Sequence, residues 1–161
     1  MGRERLPEVT IFCGNDSKSP RYEVIDGVQI VRRGGFYMVY FWAFLYYVFR
    51  FRGLYDLIID SENGIPFFTP LYVGKPKLLL IHHIHQEVFR NHLSFPLAII
   101  ASLLEGKLMP FIYKNQKVIT VSNSSKEEIL KLGQNIFSSI EIINPGIHPQ
   151  NFLSLKKTNY P

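Results

Sequence analysis

Apolar and polar positions fall in blocks along this chain, and the blocks alternate in length. Residues 9–14, VTIFCG, are a short apolar run closed by a glycine and read as a buried strand. Residues 22–35, YEVIDGVQIVRRGG, read as two extended pieces around Asp26-Gly27, a pair that tolerates the positive φ of a tight hairpin turn. The aromatic stretch 36–51 has the length of a helix and stops before Gly53. YDLIID (55–60) is a continuous apolar run of strand length. Residues 61–74 read as a loop with a short helix, punctuated by Gly64, Pro66, Pro70 and Gly74. KLLLIH (77–82) reads as another buried strand. Helical spacing runs over 95–115, with Pro96 in the first turn and Pro110 as a kink or break. KVITVS (117–122) is a strand, and the next helix starts with Ser124 and Glu127 as a capping box and ends at Gly133. IEIINPG (140–146) is the last strand, and a polar, proline-bearing stretch follows.

Strands that are apolar on both faces and separated by helices predict an α/β fold, a Rossmann-like parallel sheet with helices on both faces. In such a sheet ligands bind beyond the carboxyl ends of the strands. That rule sorts the polar residues. Asp60, Glu62 and Asn63 lie at one strand end, His82 and His83 at the next, Ser122 at the next and Asn144 at the last. Consecutive strand ends carrying polar groups on one rim mark a candidate site without defining its reaction.

Composition narrows the partners. The formal net charge is +5, yet the basic residues are scattered, with only pairs such as Arg32-Arg33 and Lys156-Lys157. Nucleic-acid binders cluster their charge, so no nucleic-acid partner is expected. The single Cys13 allows no internal disulfide and suits a reducing compartment, and Arg3, Glu4, Arg5 and Pro7 do not open a secretory leader. The expected location is cytoplasmic, with the inner membrane face as a variant. Residues 36–49 carry no formal charge but are shorter than the roughly 20 apolar residues a spanning helix needs. Arg32, Arg33, Arg50 and Arg52 flank them, so a core or interfacial helix is expected.

Three histidines within LLLIHHIHQEVF (78–89) raise the question of a metal. His83 and Glu87 are four apart, with His85 and His92 nearby, but the arrangement matches no established ligand spacing and no cysteine joins it. No metal is expected, and His85 and His92 are expected to pack and hydrogen-bond locally. His82 differs, because a neutral imidazole at a ligand rim can bond a substrate hydroxyl or move a proton near pH 7. No G-x-S-x-G, G-x-G-x-x-G or P-loop occurs.

As a set, GVQIVRRGG (27–35), YDLIIDSENGIPFF (55–68), KLLLIHHIHQEVF (77–89), residues 103–133 and IEIINPGIHPQNF (140–152) resemble the N-terminal, acceptor-side domain of family 4 retaining glycosyltransferases of GT-B fold. The resemblance implies one of two Rossmann-like domains facing a cleft, in an enzyme moving a sugar from a nucleotide-sugar donor to a glycan or lipid-linked acceptor. By position, His82 maps to a histidine near the transferred sugar, with His83 in that place if the strand ends one residue later. Ser122 maps to a cleft serine, and Asn144 and Gly146 to a turn into the second domain. Glu62, Asn63 and the aromatic helix would shape the acceptor side. No cofactor is implied, the nucleotide sugar being a substrate.

The resemblance also implies parts that these residues do not match. The family's donor domain, with two glutamates separated by seven residues, would follow position 150, and no such pair occurs in the 161 residues. The family's first strand and glycine-rich loop would precede Val9. The expectation is an incomplete domain over 1–150 that lacks its first βα unit, with 151–161 starting an interdomain linker, and no transfer activity of its own. In the doubly wound order that strand is central, so two edges would stand unpaired and invite a homo-oligomer or partner strand. The alternative is a non-enzymatic interaction module working through those edges.

Overall fold

The computed structural model describes residues 7–133 and 135–146. The first block forms the strands β1 (Thr10–Cys13), β2 (Tyr22–Ile25) and β3 (Val28–Arg32). β2 and β3 are the expected antiparallel hairpin, and Asp26 and Gly27 take φ of 50° and 82° at its turn. β3 also pairs with β1 in parallel, giving the order β1-β3-β2.

The second sheet is fully parallel. Its strands β4 (Ile58–Glu62), β5 (Lys77–Ile81), β6 (Lys117–Thr120) and β7 (Ser139–Ile142) lie in chain order, flanked by helices. The Rossmann-like reading holds for this sheet. β4 sits later than the apolar run suggested, because its ladder with β5 continues from Ile58↔Lys77 to Glu62↔Ile81 despite the polar Ser61 and Glu62. Among the described residues, β1 pairs only with β3 and β4 only with β5, so each keeps one unpaired edge.

Helix α1 (Val39–Tyr46) continues through a π-helical turn, Tyr47–Phe51. It buries Val39, Ala43 and Tyr47 and leaves Phe36, Tyr37, Phe41 and Phe49 exposed along and beside it. The expected core role therefore covers one side only. A short helix that periodicity did not reveal, α2 (Gln86–His92), follows β5. Of the kink or break expected at Pro110, the break is absent: α3 (Phe95–Leu103), a π-helical turn (Leu104–Leu108) and α4 (Met109–Ile112) run on continuously. Proline lacks an N–H and crowds the carbonyl four residues back. The wider turn, in which Met109 N–H reaches the Leu104 carbonyl, relieves that crowding just before Pro110. The segment Phe95–Ile112 is long and apolar enough to cross a membrane by composition, but its inward side packs into this core.

α5 (Asn123–Lys131) is capped by Ser122, whose hydroxyl accepts from Ser125 N–H at 3.1 Å, rather than by Ser124. β6 ends at Thr120 and the chain turns at once, so the cap falls two residues earlier than the capping-box pattern placed it. Leu79, Ile81, Met109, Tyr113, Val118, Ile129 and Phe137 form the core between sheet and helices. The expected linker, 151–161, and the end of the expected domain at 150 lie outside the described residues.

One polar network is sealed into this core. Asp60, 1% exposed, accepts from Phe67 N–H (3.0 Å), Thr69 N–H (3.2 Å), Thr69 Oγ1 (2.9 Å) and the Tyr113 hydroxyl. Asp60→Ala leaves several buried donors unpaired and should cost about 3 kcal/mol or more in urea unfolding. Tyr113→Phe removes one donor of several and should cost about 1 kcal/mol. Equal effects of the two substitutions would contradict this account.

Candidate functional site

Parallel pairing in chain order brings the carboxyl ends of β4, β5, β6 and β7 side by side. The segments that follow these strands therefore lie side by side, but Asp60, expected at this rim, sits inside β4 and is buried, because the strand runs on to Glu62. His82 follows β5 directly and is exposed, and its carbonyl accepts from Ser125 Oγ at 2.8 Å. That bond ties the end of β5 to the first turn of α5. His83 is also exposed, and its Nδ1 lies 2.9 Å from Glu128 Oε2 on α5. The same oxygen accepts from Ile84 N–H at 3.3 Å. Two adjacent residues of the loop thus lean on one carboxylate, while His82 is left to face outward.

Ser122 is half-buried, and its hydroxyl serves the helix cap while lying 2.9 Å from both Ser124 Oγ and Ser125 Oγ. Asn63 is exposed just past β4. Asn144 and Gly146 are exposed past β7, whose end is held by Ile143 N–H donating to the Thr120 carbonyl at 2.8 Å. Glu62 is placed differently: it is 0% exposed and lies behind the rim, with Oε1 accepting from Gly64 N–H at 2.7 Å.

The structure brings Glu62 together with two residues that the rim pattern passed over. His85, at the start of α2, and Glu105, on the π-helical turn, converge on it. Glu105 is 0% exposed, and its Oε1 accepts from His85 N–H at 2.5 Å. His85 Nδ1 lies 3.7 Å from Glu62 Oε1 and 3.6 Å from Glu105 Oε1. Burial pushes the Glu62 carboxyl up to about 8, with the Gly64 N–H opposing and the Glu105 and Asp60 charges adding. Burial likewise pushes Glu105 up to about 7, against the His85 N–H. Burial, helped by the neighbouring His83, holds His85 below its usual value. One sequence signal could have pointed here: Glu105 is a lone carboxylate within the apolar run 95–112. A charge kept in such a place needs a partner. Of the set that spacing suggested, His83, Glu87, His85 and His92, only His85 belongs to such a group among the described residues.

An α/β chain with its polar residues along the ends of a parallel sheet belongs to the nucleotide- and sugar-handling class of folds only by analogy. The family comparison is specific. The model for Glycosyltransferase Family 4 matches residues 3–151, and the chain belongs to that family. No curated protein and no solved structure matches it.

The raised carboxyl values set a pH dependence. Unfolded glutamates titrate near 4.5, so between about 4.5 and 8 the folded chain holds more protons than the unfolded one. The stability these groups give is fully present below 4.5 and lost as pH rises through 7 to 8. Each group contributes a slope of up to about 1.4 kcal/mol per pH unit. Urea unfolding of the chain in a chelator should show stability falling from pH 5 to 8. Glu62→Gln and Glu105→Gln should each flatten that slope, and an unchanged slope in both would refute the assignment.

Proposed function

We propose that this chain is the acceptor-side domain of an enzyme that transfers a sugar, with retention, from a nucleotide-sugar donor to a glycan or lipid-linked acceptor. The observation that carries the reading is the exposed His82 at the carboxyl end of β5, its main chain pinned to α5 through Ser125. A pinned backbone under an outward imidazole suits a group that must meet a sugar hydroxyl in one geometry. His83 shares the loop, Ser122 and Asn144 flank it from the next two strand ends, and Gly146 leaves room for backbone approach. Asn63 stands on the acceptor side, with Glu62 supporting it from behind. The donor's nucleotide would be held by a second domain, as the resemblance to the two-domain GT-B enzymes implies. The cytoplasm is the fitting location, since nucleotide sugars and a lone unpaired cysteine both suit it.

Two consequences can be measured. The 161-residue chain alone should form no product from nucleotide sugars and lipid-linked or glycan acceptors. It should still bind a labelled nucleotide sugar weakly in equilibrium dialysis. His82→Ala should weaken that binding at least about tenfold, or 1.4 kcal/mol. Product from the chain alone, or binding indifferent to His82, would overturn the reading.

A lipid-linked acceptor would bring the enzyme to a membrane surface. Support comes from Phe36, Tyr37 and Phe49, each at least 74% exposed, with Arg50 and Arg52 close by in sequence. Exposed aromatics beside basic residues suit the interface of an anionic bilayer. The chain should float with anionic vesicles, and Phe36→Asp with Phe49→Asp should release it. A chain that stays with the soluble fraction would exclude this contact.

A second reading is favoured by the edges of β1 and β4 that are unpaired among the described residues, which suit pairing with a second copy or a partner strand. Concentration-dependent dimerisation without nucleotide-sugar binding would favour it over transfer.

A further inference from the structure

Glu62, His85 and Glu105 come from three separate elements and meet in the interior, one donor atom from each lying within 4.8 Å of the others. The distances from His85 Nδ1 to the two Oε1 atoms, 3.7 and 3.6 Å, are too long for hydrogen bonds. They are close to the edge of a coordination tetrahedron, in which bonds of about 2.0–2.2 Å hold neighbouring donors about 3.3–3.6 Å apart.

Glu62 Oε2, Glu105 Oε2 and His85 Nδ1 are buried and have no hydrogen-bond partner among the described residues, and both carboxyl side chains are 0% exposed. Each orphaned atom is costly on its own, and buried polar groups in native proteins are nearly always satisfied. A single cation placed between His85 Nδ1 and the two carboxyls would satisfy the nitrogen, and a carboxylate that grips it through both oxygens would engage Oε2 as well as the nearer Oε1. We propose that Glu62, His85 and Glu105 bind one divalent first-row transition ion, with zinc the best match. One imidazole and two carboxylates are ordinary zinc donors, and three protein ligands leave a fourth position for water or another ligand. Magnesium is a poorer match, since it favours all-oxygen octahedral sites.

The surroundings are those of a built site. Gly64 N–H and His85 N–H each hold Oε1 of a carboxyl, which fixes the orientation of the whole group toward His85 Nδ1. The Phe89 ring stacks on His85 with centroids 6.0 Å apart and planes 27° apart, forming an apolar wall. A Cβ on Gly64 would stand 3.6 Å from that ring. Glu105 rides on the π-helical turn, and single π turns inside helices recur at functional sites. Two carboxylates neutralise a divalent charge, which removes the main penalty of burying either alone.

The ion would fasten the end of β4, the His82–His85 loop and the long helix at one point. The proposal does not depend on the sugar-transfer reading and survives its failure. Its test uses the purified chain, stripped with chelator and then titrated with Zn2+ or Co2+. Calorimetry should show one zinc per chain, a melting temperature that rises with zinc, and a tetrahedral Co2+ absorption in the visible. Glu62→Gln and Glu105→Gln should each weaken zinc at least tenfold, while His92→Ala and Cys13→Ser leave affinity unchanged. Should the glutamine variants fail to fold, the Co2+ spectrum of the unaltered chain decides. No one-to-one binding, an octahedral spectrum, or zinc affinity lost in His92→Ala or Cys13→Ser would overturn the site.

Discussion

Two carboxyl groups on one face of β4 constrain much of this domain. Asp60 and Glu62 are two residues apart, so both point to the same side of the strand, and both are almost wholly buried. A carboxyl in an apolar interior is costly without partners. The long helix answers both needs, since Tyr113 meets Asp60 and Glu105 approaches Glu62 through His85. Helix and strand must therefore keep a fixed register. The π-helical turn between Leu104 and Leu108 sets the phase of Glu105 against that of Tyr113, eight residues later.

The two carboxyls are treated differently. Asp60 collects donors from a loop and a helix and is fully engaged, which makes it a structural clamp. Glu62 has one oxygen held and one left over, next to an imidazole and a second carboxyl in the same condition. Just in front of that group lies the rim, where the chain turns outward through His82 and His83. The clamp and the cluster hold the strand ends that carry the rim. This connects the interior of β4 to the rim proposed here to meet a sugar.

Much of the framework was legible in the sequence, because apolar runs of strand length and the Asp26-Gly27 turn are local signals. The strands from β5 to β7 sit close to where the runs placed them, and the rim rule found His82 and Asn63 at adjacent ends. Other features depended on tertiary partners. β4 extends over Ser61 and Glu62 because β5 offers it a ladder. Ser122 caps α5 because β6 stops short, and α2 gave no clear periodic signal over its seven residues. Pro110 read as a kink or break, and the π turn that carries the helix up to it has no sequence signature. Beyond the lone Glu105 in its apolar run, the Glu62–His85–Glu105 group could not be read as a set, because its members are 23 and 20 residues apart, separations set by the fold and not by any local motif.

The central claim is that the strand ends of β4 to β7 form a sugar-handling rim with His82 at its centre. The most direct measurement is an NMR titration of isotopically labelled chain with a nucleotide sugar, following backbone amides and histidine rings. The account predicts the largest shifts at His82, with Ser122 and Asn144 moving beside it and the hairpin of β2 and β3 unaffected. Shifts gathered instead along the groove between Arg90, Lys107 and Lys131, or no shifts anywhere, would contradict it.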